Sequence, residues 1–284
     1  MDYSVNITIG IPVYNAEKFI GSCIESILNQ SYKDFEVIIS DDSSNDNTVS
    51  VIKNFSDKRI KLITNIEQRG ISERLNQIIQ LSNGKYFARM DADDLMFPDR
   101  LRIQIEYLTG NNDIDVLGGD AVVINSTNKI LGVRESSRVF SINKALKSAL
   151  FIHPTIIGKT SWFKENPYNA IYDGAEDYEL IIRTIKSSNF NNLNLPVIIY
   201  RDKSNLEIYS RRSKMVINIL NELKNKSGKT TLIQTIIFYT NFKSIFNTIL
   251  GRFNLLATLY PLKYKIANQE IKKITNQILQ KYCE

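Results

Sequence analysis

The sequence predicts an α/β protein built on a mostly parallel central sheet with helices on both faces, followed by a helical C-terminal region. Three observations predict it. Apolar, β-rich runs alternate four times with amphipathic helical patterns, at the spacing of β-α units. Clusters of Asp, Ser and Asn fall where those runs end, and open parallel sheets bind their ligands at the C-terminal ends of their strands. Finally, 284 residues that are 43% hydrophobic and 10% aromatic suffice to bury a full core and exclude a disordered chain.

The first run, Val5 to Val13, closes in Pro12-Val13-Tyr14-Asn15, where a strand opens into a loop. From Ala16 to Asn29, the residues Phe19, Ile20, Cys23, Ile24, Ile27 and Leu28 trace one helical stripe. The unit then repeats: strand Phe35 to Ser40 with a short helix near Thr48 to Phe55, strand Ile60 to Thr64 with helix Ile71 to Leu81, strand Tyr86 to Met90 with helix Pro98 to Leu108. A helical pattern covers Ile142 to Leu150, and His153 stands before Pro154-Thr155 in a strand-like segment. Another helix starts near Glu176, with Tyr178, Ile181, Ile182 and Ile185 as its apolar face, and the strand Val197 to Tyr200 nearly completes the core. Residues 1–204 therefore read as one domain. Residues 205–284 read as a basic amphipathic appendage of helices at about 205 to 224, 230 to 249 and 262 to 282, broken at Ser227-Gly228, Gly251 and Pro261.

The net charge of +6 is unevenly placed. Residues 201–284 carry 15 of the 36 Lys and Arg and 5 of the 30 Asp and Glu, which makes that segment +10 and leaves residues 1–200 at −4. A nucleic-acid reader would carry its positive field on the folded module, so nucleic acid is not an expected partner. Two cysteines, Cys23 and Cys283, cannot build a disulfide framework or a zinc cluster, which fits a reducing, cytoplasmic setting. Met1-Asp2-Tyr3-Ser4 lacks the basic-then-apolar profile of a signal peptide, so no export is expected.

Three acidic clusters carry the chemistry. Arg89-Met90-Asp91-Ala92-Asp93-Asp94 packs three carboxylates into four residues, ahead of Pro98-Asp99-Arg100-Leu101. Carboxylates that close raise one another's pKa unless a cation stands between them, which points to a divalent metal; a solvated turn capping the next helix is the plainer alternative. Asp41-Asp42-Ser43-Ser44-Asn45-Asp46-Asn47-Thr48 reads as turn and N-cap from Asp46 onward, whereas Asp42, at a strand end beside Tyr14 and Asn15, can hydrogen-bond a base or ribose. Neither G-x-G-x-x-G nor G-x-x-x-x-G-K-[ST] occurs, so phosphates would be held by metal and basic side chains. Arg69, Arg74 and Arg89 are the candidates, and each can instead balance neighbouring aspartates as a structural ion pair. In Asp173-Gly174-Ala175-Glu176-Asp177-Tyr178-Glu179 the helix dipole accounts for Glu179, and the pair Glu176 and Asp177 is suited to general-base work.

The ordered set Ile9-Gly10-Ile11-Pro12-Val13-Tyr14-Asn15, Asp41-Asp42-Ser43-Ser44, Met90-Asp91-Ala92-Asp93-Asp94 with Pro98-Asp99-Arg100-Leu101, His153-Pro154-Thr155 and Glu176-Asp177-Tyr178-Glu179-Leu180 resembles glycosyltransferase family 2. The resemblance implies a GT-A (Rossmann-like) fold and inverting transfer from a nucleotide sugar, usually a UDP-sugar, with Mn2+ or Mg2+ as cofactor. It implies a nucleoside pocket from Pro12, Val13, Tyr14, Asn15 and Asp42, with Asp42 on the base. Asp93 would ligate the metal, Asp91 would contact ribose or metal, and Asp94 completes the D-x-D-D form associated with bacterial O-antigen and capsule transferases. Asp177 would be the base with Glu176 beside it, and His153 would lie near diphosphate or acceptor. Trp162, the only tryptophan, is left between acceptor stacking and packing. Ser43, where glycine is more usual, and Arg74, where small residues are common, depart from the pattern.

The acceptor that the resemblance implies is a saccharide, polyprenyl-diphosphate-linked, in surface polysaccharide synthesis. The apolar stretch Leu232 to Phe242, interrupted by Lys243 and Arg252, is too short and too charged to span a bilayer. A basic helical region of this kind suits the anionic inner face of a membrane, and packing on the core or in a homodimer is the competing reading. A sugar-nucleotide nucleotidyltransferase is the alternative enzyme class, although the Gly10 to Gly21 segment lacks its Gly-rich loop.

Overall fold

The computed structural model describes residues 5–202, 206–227, 233–238, 240–241 and 264–283. At its centre β1 (Val5–Val13) pairs in parallel with β2 (Phe35–Asp41) on one side and β4 (Gly84–Arg89) on the other, and β3 (Ile60–Thr64) pairs with β2 in the same sense. A strand flanked on both edges and covered on both faces must be apolar throughout, and Ile7, Ile9 and Ile11 are fully buried. The register sets Val13 opposite Asp41 and Gly10 opposite Arg89, so these strands finish at one edge.

Helices cover both faces, as the periodicities predict. On one side α1 (Ile20–Leu28) and α4 (Arg100–Gly110) bury Ile20, Ile24, Ile27, Leu101, Ile105 and Leu108 against Ile9 and Val37, with α2 (Thr48–Lys53) alongside. On the other side α3 (Ile71–Leu81) lays Leu75, Ile78 and Ile79 on Ile38 and Phe87, the residues of opposite pleat. α1 begins at Ile20 rather than at Ala16, because Ala16 to Phe19 form a turn whose Ala16 amide donates to Thr48 Oγ1 at 2.7 Å.

Past β4 the sheet turns mixed. The short β5 (Leu95–Met96) is followed by β6 (Val116–Ile124), β7 (Ile130–Arg134), α5 (Ile142–Lys147), β8 (Ile157–Lys159), α6 (Thr160–Glu165), α7 (Glu176–Thr184) and β9 (Phe190–Arg201). The strand order is β3-β2-β1-β4-β8-β6-β9-β5, with β7 also on β6. β8 runs antiparallel to both β4 and β6, whereas β6 and β9 are parallel. The segment from Asp120 to Arg138 contributes the second half of β6 and all of β7. Residues 153–155 form a 3₁₀ turn rather than a strand, with Pro154 in the first-turn position where its missing N–H does no harm.

The C-terminal helices that are described pack on this core. α8 (Leu206–Ser227) buries Ile219 and Leu220 beside α7, and Tyr172 Oη donates to Glu222. The helical residues 233–238 add Ile233 and Ile236 to the same cluster. α9 (Gln269–Cys283) seats Ile278 and Leu279 on Leu95, Ile124 and Ile199. Gly228, Gly251 and Pro261, and most of the expected helix at about 230 to 249, lie outside the described residues. Among the described residues no helix is long and apolar enough to cross a membrane.

Candidate active site

The edge where β1, β2 and β4 end carries the predicted residues. Pro12 and Val13 are buried in β1, Tyr14 is 43% exposed, and Asn15 takes the left-handed conformation at φ 47°. Asn is one of the few residues that tolerates it. Asn15 accepts from the Asn45 amide at 3.0 Å and its own amide donates to Ser44 Oγ at 2.9 Å, which ties this loop to the one after β2. Asp42, only 4% exposed, is bound from within the chain: Oδ1 accepts from the Arg69 amide at 2.8 Å and from Arg74 Nε at 2.6 Å, and Oδ2 from the Gly70 amide at 2.9 Å. A carboxylate offers about four acceptor directions, so one remains for a ligand. Arg74 is thus the structural partner of Asp42, and the Arg69 side chain pairs on the surface with Glu67.

Beyond β4 the acidic segment alternates: Asp91 and Asp93 are half-buried, Ala92 and Asp94 buried. Arg89 Nη2 contacts Asp91 Oδ1 at 2.6 Å, while its Nε and Nη1, both buried, have no protein partner. Burial disfavours the Arg89 cation, but the charge of Asp91 and its other neighbours outweighs that and raises its pKa. Burial, and then the charges of Asp93 and Asp91, push Asp94 well above the usual carboxylate range; its Oδ1 accepts from the Arg201 amide and its Oδ2 has no partner. Beneath this loop Arg100 is fully enclosed, donating to Gln104 and to the Arg89 carbonyl, and desolvation pulls its pKa down to about 9.

Whether these residues fit a divalent cation can be judged from their donors. All are hard carboxylate oxygens, and an orphaned buried Asp94 oxygen stands behind two more accessible carboxylates. No group of three or more His, Cys, Asp or Glu among the described residues forms a complete cage. One or two of these carboxylates together with substrate phosphates would suit Mg2+ or Mn2+.

Across Arg89 lies the second half of the site. The His153 ring bonds Tyr168 Oη through Nε2 at 2.9 Å and brings Nδ1 within 3.5 Å of Glu176 Oε1. Burial and the charge of Arg89 hold His153 neutral. Glu176, at the first turn of α7, accepts from the Gly174 amide at 2.7 Å; burial, and then Asp177, push its pKa up to about 7. Asp177 accepts from the Tyr178 amide at 2.7 Å and from Arg212 Nη2 at 2.9 Å on each oxygen. Burial opposes its charge, but the Arg212 guanidinium holds its pKa well below the ordinary range. Asp173 closes the circuit, accepting from Ser72 on α3 and pairing with Arg211 on α8 at 3.3 Å. Gly70, at φ 86°, lets the chain pass there; a Cβ would stand 2.7 Å from the Asp173 carboxylate.

Of the two readings open for Trp162, its surroundings favour packing. Its ring is 7% exposed, edge-on to Phe163 and Phe190, and its indole N–H donates to Ser188 Oγ at 2.8 Å. Four residues of the site were not anticipated: Tyr168, Arg100, Arg201 and Arg212. Arg100 stands inside the motif Pro98-Asp99-Arg100-Leu101, whereas Arg212 is one of several basic residues along α8, where a further charge carries no signal of a site.

The sequence model of the family described as "Glycosyl transferase family 2" matches residues 8–171. The Escherichia coli protein UDP-Glc:alpha-D-GlcNAc-diphosphoundecaprenol beta-1,3-glucosyltransferase WfgD is 33% identical over 193 residues, 68% of this chain and 74% of that protein. The crystal structure of S. aureus TarS 1-349 in complex with UDP-GlcNAc superposes with a TM-score of 0.64 at 17% identity, covering 98% of this chain and 80% of that one. The mannosyltransferase PcManGT from Pyrobaculum calidifontis, in complex with GDP-Man and Mn2+, superposes at 0.60 with 18% identity, covering 92% of this chain and 74% of its own. These two likenesses speak for the fold alone.

Proposed function

The chain belongs to glycosyltransferase family 2, and on that premise we propose that it moves a hexose or N-acetylhexosamine from a UDP-sugar to a hydroxyl of a polyprenyl-diphosphate-linked saccharide, inverting the anomeric carbon, in surface polysaccharide synthesis. The observation that carries the reading is the meeting of two carboxylate groups across one buried arginine. Asp91 touches Arg89 directly, and Glu176 lies within the field of the same guanidinium, next to Asp177. The relative WfgD, whose name gives UDP-Glc and a diphosphoundecaprenol-linked acceptor, supports the donor and acceptor classes.

In this reading Pro12 to Asn15 and the remaining acceptor direction of Asp42 receive the nucleoside, with the exposed Tyr14 ring available to stack on the base. Asp93 and Asp91 would hold a divalent cation, which when bound would supply Lewis-acid neutralisation of the diphosphate charge. Arg89 fixes Asp91, and its buried Nε and Nη1 have no protein partner and are available to a bound phosphate. Asp177 takes the proton of the attacking hydroxyl, while neutral His153 and Glu176 shape the acceptor side. A single in-line displacement needs no covalent nucleophile. The nucleotidyltransferase alternative finds no support in the family match. We also assign the basic C-terminal third, with Phe238 74% and Ile266 90% exposed, to the anionic inner face of the cell membrane.

Calorimetric titration with UDP, UMP, GDP and CDP, each with Mn2+ and with chelator, tests the donor site in wild type and Asp93→Ala. Metal-dependent UDP binding that vanishes in Asp93→Ala is expected. Absence of nucleoside-diphosphate binding under every condition would refute the reading.

A further inference from the structure

Among the described residues of the C-terminal region, two adjacent arginines of α8 reach the site. Arg212 holds Asp177 through Nη2 and donates to the Gly174 carbonyl through Nη1 at 3.3 Å; Arg211 leans on Asp173 at 3.3 Å. They are not buried structural ions. The Arg211 side chain is 63% exposed and that of Arg212 36%, against 14% for Asp177. Lys214, exposed one turn further on, extends the same positive ridge. Both arginines lie beyond residues 8–171, the part of the chain that matches the family model.

Distance decides what such a pair can serve. In a saccharide diphosphate with one sugar, the attacking hydroxyl and the diphosphate sit on the same hexose ring. When that hydroxyl reaches Asp177, the diphosphate must fall within one ring's width of it. Among the described residues Arg212 touches Asp177 and Arg211 is its neighbour, and guanidinium groups bind phosphate oxygens through paired, charge-assisted hydrogen bonds. Arg89, the other nearby cation, is enclosed on the donor side against Asp91.

We infer that Arg211 and Arg212 seat the diphosphate of a sugar-diphosphate acceptor, and that its arrival draws Arg212 off Asp177. The inference rests on the reading of Asp177 as the base. Its consequence is a coupling: with the seat empty, Asp177 has both oxygens on Arg212 and is a poor proton acceptor. With the seat filled, the guanidinium turns to the more highly charged diphosphate, and the carboxylate is left facing the hydroxyl. Charged acceptor and competent base then arrive together, which disfavours transfer to water or to neutral sugars.

The probe is decyl diphosphate, with decyl glucoside and inorganic diphosphate as comparison ligands, titrated with and without UDP and Mn2+ present. In the variant Arg211→Gln/Arg212→Gln its affinity is expected to fall about tenfold or more, the scale of lost charge-assisted hydrogen bonds. Arg211→Lys/Arg212→Lys should recover much of it. Asp177→Asn, which removes the carboxylate competing for Arg212, should bind decyl diphosphate severalfold more tightly than wild type. Wild-type affinity in the Gln pair, equal binding of decyl glucoside, or no binding by the wild type would overturn the seat; unchanged or weaker binding by Asp177→Asn would overturn the coupling. A parallel loss of affinity for phosphatidylglycerol vesicles in the Gln pair, equal in size, would also overturn it by making the arginines general lipid contacts. UDP titration of each variant reports separately: its failure in wild type strikes the donor reading, whereas intact UDP binding in the Gln pair shows that the variant is folded.

Discussion

Arg212 Nη2 donates to both carboxylate oxygens of Asp177, 2.9 Å to each, across 35 residues of sequence. The contact places a cation from the C-terminal third against a carboxylate in the first turn of α7, and it lowers the Asp177 pKa well below the ordinary carboxylate range. An aspartate so held is well oriented and weakly basic, a combination that calls for the cation to have a second partner.

Replacing Asp177 by Asn keeps the size of the side chain and its contact with the Tyr178 amide but removes the proton acceptor. Turnover is expected to fall by about two to four orders of magnitude, the range for a lost general base, with UDP and Mn2+ affinity nearly unchanged. Steady-state kinetics beside calorimetry would separate the two; unimpaired turnover removes Asp177 from the chemistry.

Glu176 carries a pH signature. Its pKa is raised from an ordinary 4.5 to about 7, so between those values the folded chain holds a proton that the unfolded chain has lost. Its contribution to stability is full below 4.5 and declines as pH rises through 7, with a slope of up to about 1.4 kcal/mol per pH unit. His153, whose pKa is lowered well below its ordinary 6.5, works in the opposite direction over an overlapping range, and that contribution is common to wild type and variant. The comparison is therefore denaturant stability of wild type against Glu176→Gln from pH 5 to 8. The variant is expected to gain relative to wild type as pH rises, and parallel profiles would contradict the assignment.

Arg74 and Asp42 form an ion pair with both side chains 6% exposed. Arg74→Met leaves the carboxylate buried and short of one donor, which costs about 3–5 kcal/mol for pairs of this kind. Because Asp42 also holds the amides of Arg69 and Gly70, UDP affinity should weaken with stability. Urea unfolding and UDP titration on the same sample measure both.

Phe238 is 74% exposed on a helical segment whose Ile233 and Ile236 are buried. Phe238→Glu removes an exposed ring and adds a charge unlike those of the membrane's natural partners. Co-sedimentation with anionic vesicles should drop severalfold, while stability changes by no more than about 0.5 kcal/mol, as for surface substitutions in general. Undiminished co-sedimentation would argue against a membrane role for this face.

Much of the fold was legible in the chain because its first half is assembled from local signals. The stripe Ile20, Cys23, Ile24 and Ile27 and the run Ile7 to Val13 report which face each element buries, and parallel β-α units pair with partners near in sequence, here in the order β3-β2-β1-β4. The second half was less legible. β6 carries Gly118-Gly119-Asp120 in its middle and is buried on both faces, so it shows neither alternation nor a continuous apolar run, and its place between β8 and β9 depends on pairing partners far along the chain. Trp162 has the composition of either a stacking platform or a core residue, and only Phe163, Phe190 and Ser188 around it decide for the core.

By itself the sequence determined the class of the fold, the family, and which carboxylates gather at strand ends, since residue type and spacing act over a few neighbours. Only the tertiary structure decided what those carboxylates face. Asp42 meets Arg74, Asp94 is buried beside Asp91 and Asp93, and Asp177 meets Arg212, each through contacts set by how helices and loops close over the sheet. Charge and hydrogen bonding fall off within a few ångströms, so the state of each group belongs to its neighbours in space, which sequence order does not specify.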